Sequence, residues 1–359
     1  MINKEKIEEL AAERSMPCVS ISLNTHRTFP DNAQDEIVLK NLLKEAEIRL
    51  ISDLGKKSAN GLLEKIANVP SQIDHNYNLD SLHIFISNNT LEIIKSVLPI
   101  NKNKVCISES FALRTIINDY IRRKKYLILL LSQGSTHLYK AFNESVTEEV
   151  INDDFPFPEM ERNLNAPEKL SDARLLDDIV REHLNKLDKA VVKISNQTDL
   201  ECVVICTEDN LSRLMQVANK PKMYIGHAFV NYNDISTTHL AKQGWEVINE
   251  LQKKNRTDAI NEMLDAVNQA RVLSDLQEIY LAAIDGRGEL LIVHEDFIQP
   301  VLMNGDRTFD LISDSAQPNA IDDITSNIVW EVFSKKGRVV FTAQEKIKEL
   351  GNIVLKTRY

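Results

Sequence analysis

Four clusters of cations carry the chemistry this chain is best equipped for: His26-Arg27, Arg122-Arg123-Lys124-Lys125, Lys253-Lys254-Arg256 and Lys335-Lys336-Arg338. Cations of this kind contact phosphate, and every phosphate they neutralise makes binding to nucleic acid more salt-dependent. Two clusters have a plainer use. Those at 253–256 and 335–338 fall where helices are expected to end, and cations there complement the helix dipole. His26-Arg27 instead follows a strand in a loop, and four cations in a row at 122–125 exceed what a helix end needs. His26, Arg27, Arg122, Arg123, Lys124 and Lys125 are therefore the expected RNA-binding residues. No aromatic ladder accompanies these clusters along the sequence, so stacking on single-stranded bases is not expected.

Bond-breaking chemistry finds less footing. A two-metal nuclease needs carboxylates that converge on ions about 4 Å apart. Here Asp153-Asp154 falls in a loop, Asp177-Asp178 on a helix, and the strand YLILLLS has no acid. No G-x-S-x-G elbow is present. His137 and His227 sit in strand-like runs, where a lone histidine is more often a satisfied structural residue than a catalyst. Cys202 and Cys206 share one strand face with Val204 but have no further ligands nearby, so no metal site is expected. Gly286-Arg287-Gly288 follows a helix and precedes a strand, the reverse of the order that aims helix N-terminal amides at phosphate. No catalytic residue and no cofactor is predicted.

These groups need a frame, and the sequence draws one. A helix near 3–14 precedes PCVSISLN, whose alternation of Val19, Ile21 and Leu23 with Ser20, Ser22 and Asn24 predicts a strand with one wet face. A long helix over about 33–54 carries the stripe Ile37, Leu39, Leu42, Leu43, Ala46, Leu50 and Ile51. A second helix runs to Val69, and strands SLHIFISN, TLEIIKSV and KVCIS follow, the first two turning at Asn88-Asn89. Beyond the basic run, YLILLLSQGSTHLYKAF reads as a hairpin with a Gln-Gly turn, and a third strand around 145–150 extends it. A proline-rich loop, a helix from Ser171, strand LECVVICT, helix 208–219 and strand MYIGHAFV complete a mixed sheet. The last segment opens with a helix from Ser236, broken near 255–258. SDLQEIYLAAIDGRGELLIVHED then predicts a capping box from Ser274 to Gln277, a helix, a left-handed stop at Gly286 and a buried strand. A polar insertion at 304–319, a helix over 320–335, strand GRVVFTA, helix 343–350 and strand NIVLKTRY close the chain.

A chain of 359 residues has room for two or three domains. Its net charge of −10 opposes a surface that grips nucleic acid throughout. The charge is uneven: net 0 over 1–123, −4 over 124–233 and −6 over 234–359. The domains are expected at those same boundaries. The acidic C-terminal half suits a protein partner. No apolar run approaches the length of a membrane span, the N-terminus has no signal-like apolar core, and four cysteines in apolar runs fit a reducing cytoplasm. A cytoplasmic monomer without membrane contact is expected.

SISLNTHRT…QDEIVLKNLLKEAE, YLILLLSQGSTHLYKAF, VLSDLQEIYLAAIDGRGELLIV and the closing GNIVLKTRY, in this order, resemble the bacterial archaeo-eukaryotic release-factor-like family over nearly the whole chain. The resemblance implies an α/β protein of three domains. The first is an N-terminal α/β domain, the middle one has ribonuclease H-like topology, and the last is an α/β/α sandwich like kink-turn-binding ribosomal proteins. It also implies a ribosome or structured RNA as partner. The family's peptide release factors hydrolyse peptidyl-tRNA with a Gly-Gly-Gln tip on the middle domain. The matching stretch here, 153–170, has no glycine, and the chain has no Gly-Gly pair. A tight backbone approach to the ester is thus hard to make. A non-enzymatic ribosome-associated factor is expected, with a stalling, rescue or hibernation role. An RNA- or nucleotide-acting enzyme using 153–169 and His137, or a protein-binding scaffold, are the alternatives.

Overall fold

The computed structural model describes residues 2–131, 136–159, 173–229, 236–313, 317 and 320–359, with 173–176 as backbone only. They separate into two compact units, Met1–Arg122 with Arg256–Tyr359, and Arg123–Asn255.

In the first unit, α1 (Lys4–Ala12) starts where the Asn3 side chain accepts from the Lys6 amide. β1 (Cys18–Asn24) leads through a short 3-10 turn to α2 (Asp35–Leu54) and α3 (Lys56–Asn68). Gly55 separates the two helices at φ 74°, a conformation glycine reaches without strain. β2 (Ser81–Ile86), β3 (Leu91–Ser96) and β4 (Lys104–Ser108) complete an antiparallel sheet in the order β3-β2-β1-β4. Val19, Ile21 and Leu23 pack with Leu39, Leu43 and Leu62 of the helix pair. Ile37, expected on that stripe, faces solvent.

The wet face expected on β1 is covered. Ser20 and Ser22 are buried. The Ser22 hydroxyl meets His83 Nδ1 at 2.9 Å, and Ser20 accepts from the Ala112 amide at 2.9 Å. The cover includes α4 (Arg114–Arg122), a helix absent from the sequence reading. Small hydroxyls allow this because each finds a partner, so their burial costs little.

In the second unit, β5 (Lys125–Leu131), β6 (Thr136–Phe142), β7 (Ser145–Glu149), α5 (Ala173–Thr198), β8 (Cys202–Cys206), α6 (Glu208–Val217) and β9 (Tyr224–Phe229) follow in order. The sheet runs β7-β6-β5-β8-β9. β5 pairs antiparallel with β6, and β6 with β7, while β5–β8 and β8–β9 are parallel. Three antiparallel strands continued by two parallel ones is the ribonuclease H-like arrangement. α5 and α6 cover one face through Leu187, Val191 and Leu214. Leu240 and Ile248 of α7 (Thr237–Val267) cover the other, over Tyr126, Ile128 and Val203. The Gln-Gly turn of the hairpin and most of the proline-rich loop lie outside the described residues. α7 runs unbroken through 255–258. The polar run there contains neither glycine nor proline, and polarity alone does not stop a helix.

The chain returns to the first unit through β10 (Val272–Leu273), α8 (Leu276–Ile284), β11 (Gly288–His294), β12 (Val301–Met303), β13 (Phe309–Leu311), β14 (Ala320–Ile321), α9 (Ile324–Ser334), β15 (Arg338–Thr342) and β16 (Ile353–Thr357). The main sheet is β10-β16-β11-β15, with β11 and β15 parallel. Ile260 and Met263 pack on one face against Leu290, Ile292 and Val354. α8 and α9 pack on the other against Leu291, Val293 and Leu355, giving the α/β/α sandwich. α8 is capped by Asp275, which accepts from the Glu278 amide. Ser274 is not the cap, and the Gln277 amide donates instead to the Arg307 carbonyl at 2.7 Å. Gly286, at φ 71°, ends the helix in a paired-amide cap, its N–H on Ala283 and that of Arg287 on Ala282. The polar insertion carries β13, which joins the flanking β12 and β14 in a small sheet, β13-β12-β14, and 345–349 form a 3-10 turn rather than an α-helix.

Segments far apart in sequence meet in this unit. Phe85, Phe111, Ile116 and Ile117 share a core with Ile324, Ile328 and Val329. Above it, both carboxylate oxygens of Asp322 accept from Arg49 Nη2, at 2.8 and 2.9 Å, and Asp322 also accepts from the Ile107 amide. Asp323 faces Lys104 at 3.6 Å and Arg114 at 3.7 Å. Arg114, 6% exposed, also donates to Thr325 Oγ1 and to the carbonyls of Phe297 and Glu295.

Candidate nucleic-acid interface

The loop after β1 is held by one carboxylate. Asp35, the first residue of α2, is buried. It accepts from the His26 backbone N–H at 2.8 Å, pairs with His26 Nδ1 at 2.8 Å and takes the Asn78 amide at 3.0 Å. Its place in the first turn of a helix favours the charge. Two loops, 25–34 and 69–80, are thereby fixed to one point. Thr25 adds a bond to the Leu79 carbonyl at 2.8 Å. Arg27 then forks onto Asp80 at 2.6 and 2.8 Å.

These two loops present aromatics that sequence distance concealed. Phe29 is 81% exposed and Tyr77 is 76% exposed. A cleft of about 610 Å³ opens between the loops, lined by Phe29, Asn32, Gln72 and Asn76 among others. Glu36 and Asp74 also line it. The field is therefore mixed, with two acids beside side-chain amides and an exposed ring. The signal that could have found it is weak: two aromatics in Asn/Asp/Gln/Ser-rich loops, separated by more than forty residues.

The junction run is divided. Arg122 pairs with Glu295 in the first unit. Lys124 reaches Glu201 at 2.5 Å, and its backbone N–H donates to the Asn143 side chain at 2.9 Å, in the second. Lys125 opens β5 and is exposed. Arg123 begins the second unit. Lys253, Lys254 and Arg256 lie inside α7, not at a helix end. Lys335 does serve a helix end, donating to the Ala283 and Ile284 carbonyls at 3.1 and 2.6 Å at the close of α8.

The residues weighed for bond-breaking occupy structural or surface positions. His137 meets Glu149 across the β6–β7 pair at 2.6 Å, and His227 is exposed on β9. Asp154 pairs with Lys193 at 2.6 Å and Asp177 with Arg213 at 3.4 Å. All four cysteines are buried free thiols, and burial pushes Cys106 up to about 11 and Cys202 up to about 12, far from the thiolate that reacts or binds metal. Among the described residues no group of three or more His, Cys, Asp or Glu is placed to hold a metal ion, and no helix is long and apolar enough to cross a membrane.

Residues 125–287 match the model of bacterial archaeo-eukaryotic release factor family 3. No curated protein matches the sequence. Among solved structures, an archaeal translation termination factor, aRF1, is 10% identical over 100% of this chain and 99% of that one, with a TM-score of 0.26. Pelota of Archaeoglobus fulgidus is 13% identical over 78% and 84%, with a TM-score of 0.38. Dom34 of S. cerevisiae, described as a translation termination-like factor involved in RNA quality control pathways and interacting with Hbs1, is 13% identical over 78% and 73%, with a TM-score of 0.38.

Proposed function

We propose that this chain, of the release-factor-like family over residues 125–287, is a ribosome-associated factor that binds structured RNA and leaves peptidyl-tRNA intact. One observation carries the second half. The chain has no Gly-Gly pair, and 153–170 has no glycine. A side chain at every position of that stretch keeps the backbone from closing on an ester. Stalling, rescue or hibernation are the roles open to such a factor. The sequence segments 1–123, 124–233 and 234–359 act as its modules. His26 and Arg27, with Arg122, Arg123, Lys124 and Lys125, meet RNA phosphates, while Phe29 and Tyr77 give the first module a surface for unpaired bases.

Sedimentation with ribosomes at low and high salt tests the association, and a single-turnover assay on peptidyl-tRNA tests the chemistry. Co-sedimentation that weakens with salt, without peptide release, is expected. Absence from every ribosomal fraction at both salts rejects the association; peptide release at rates above those of ribosomes alone rejects the inert tip.

A further inference from the structure

α8 and α9 end in the same cap but fill it with different residues. In each, two successive amides turn back onto the last turn: Gly286 and Arg287 onto Ala283 and Ala282, Lys336 and Gly337 onto Phe333 and Val332. The first position of such a cap is left-handed, and glycine is its usual occupant. α8 puts Gly286 there at φ 71°; α9 puts Lys336 there at φ 63° and its glycine one place later. A long side chain in that region is strained. Gly337 has a packing reason to be where it is. A Cβ on it would lie 2.5 Å from Val332 and 2.9 Å from the Gly288 carbonyl oxygen, so only glycine lets the two caps approach. Lys336 has no such reason, because it is exposed.

The paired caps gather cations. Arg358, just past β16, donates its backbone N–H to the Arg287 carbonyl at 2.9 Å and its Nη2 to the Lys335 carbonyl at 2.7 Å. Arg287, Lys336 and Arg358 thus meet at one end of the sandwich from three separate segments. The acids beside them are already engaged. Asp285 accepts from Arg307 at 2.6 Å, Arg271 and Lys356 each hold Glu289 at 2.7 Å, and Glu331 pairs with Lys335. Arg287, Lys336 and Arg358 make no ion pair among the described residues. Helix dipoles account for Lys335, whose ammonium lies on the last carbonyls of α8. They do not call for three further cations, and Arg358 has guanidinium donors to spare after its bond to Lys335.

A protein partner is usually held by an apolar anchor. These three side chains offer charge and N–H donors, and guanidiniums match phosphate in a two-pronged geometry. We propose that this end of the sandwich grips the phosphate backbone of structured RNA through Arg287, Lys336 and Arg358. The inference rests on the reading of this chain as RNA-binding, and it gives the last module a contact of its own. The strained lysine is then a residue kept for its ammonium at some cost to its helix cap.

Fluorescence anisotropy of the full chain with a labelled, bulged RNA hairpin over a range of salt concentrations tests it, with polyglutamate as a competitor. Lys336→Gln/Arg358→Gln should weaken binding about tenfold near 0.1 M salt and lower the slope of log affinity against log salt by about two units, one per lost phosphate. Lys336→Gly separates binding from folding. Its slope should fall by about one unit, while its urea midpoint holds or rises, because glycine suits the left-handed cap. Should the double variant fold poorly, Lys336→Gly still decides. A wild type that does not bind the hairpin rejects the RNA reading and this surface with it. Wild-type binding with an unchanged slope in the variants rejects this surface alone. A midpoint that falls in Lys336→Gly assigns the lysine to folding and overturns the proposal. Polyglutamate that competes as well as unlabelled hairpin overturns it in favour of an acidic protein partner.

Discussion

Two regions of the first unit set cations against carboxylates, and they use the pairing for opposite ends. In one, Arg49, Lys104 and Arg114 are locked onto Asp322 and Asp323, with Asp322 6% exposed. In the other, Arg27 lies on Asp80 with both side chains open to water, beside Phe29 and Tyr77. A buried pair cannot lose one member without stranding the other, so its cations are committed to structure. A solvated pair contributes little, so its cation is available to a competing phosphate at small cost. Net charge and cluster counting cannot distinguish these two situations; burial does.

The largest effect should come from the buried region. Asp322→Ala removes the carboxylate that holds Arg49 Nη2 and the acceptor for the Ile107 amide. Stability should fall by about 3 kcal/mol, read as a lower urea midpoint. Because desolvation holds the Asp322 pKa up, the ion pair works against its own burial. The double variant Arg49→Met/Asp322→Leu should therefore recover most of the loss. A loss under about 1 kcal/mol for the single variant would put this pair in the same class as the exposed one.

The exposed region should show the reverse profile. Phe29→Ala and Tyr77→Ala should each weaken binding to single-stranded or bulged RNA by about 1–3 kcal/mol, one base stack apiece, measured by fluorescence anisotropy. Their thermal unfolding should barely move, since neither ring is packed. Equal RNA affinity in both variants would remove the rim from the interface.

Much of this frame could be read from residue order alone. The two buried strands 127–131 and 202–206 betrayed themselves as apolar runs, and Gly286 as a stop, because each signal is local. What escaped was decided at a distance. α4 hid because its packed face mixes Ile116 and Ile117 with buried Arg114 and Asp119, a pattern that reads as surface until Asp323 and Thr325 are brought opposite. Ser20 and Ser22 looked solvated because their partners, the Ala112 amide and His83, come from later in the chain. The rim failed for the same reason: the loops that carry Phe29 and Tyr77 are tied together only through Asp35. The start of α8 and the middle of α7 differ by small steps: Asp275 outcompetes Ser274 as a cap, and the polar stretch 255–258 does not break its helix.

Proton binding separates the two regions further. His83 is buried on β2 between the Ser22 and Ser81 hydroxyls, and desolvation pushes it down to about 3. In the unfolded chain it titrates near 6.5. The unfolded state therefore binds a proton below 6.5 that the folded state refuses until about pH 3, and stability drains away across that window as pH falls. From pH 7 to 5.5 this one group should remove about 1.3 kcal/mol. His83→Gln should flatten that part of the pH–stability curve, while RNA-rim substitutions leave it unchanged. A wild-type curve level from pH 7 to 5 would mean the histidine reaches solvent.

The smallest effect on stability should be Arg27→Ala, and it is the sharpest separator. Losing an exposed fork onto Asp80 should cost less than about 1 kcal/mol in urea. If Arg27 trades Asp80 for a phosphate on binding, the slope of log affinity against log salt should fall by about one unit. Asp80→Asn then becomes informative, because it frees the guanidinium without removing it. RNA affinity should rise in that variant at low salt and converge on the wild type as salt screens the competition. An unchanged salt slope in Arg27→Ala, together with unchanged affinity in Asp80→Asn, would show the fork to be a tether between the β1 loop and β2 and nothing more.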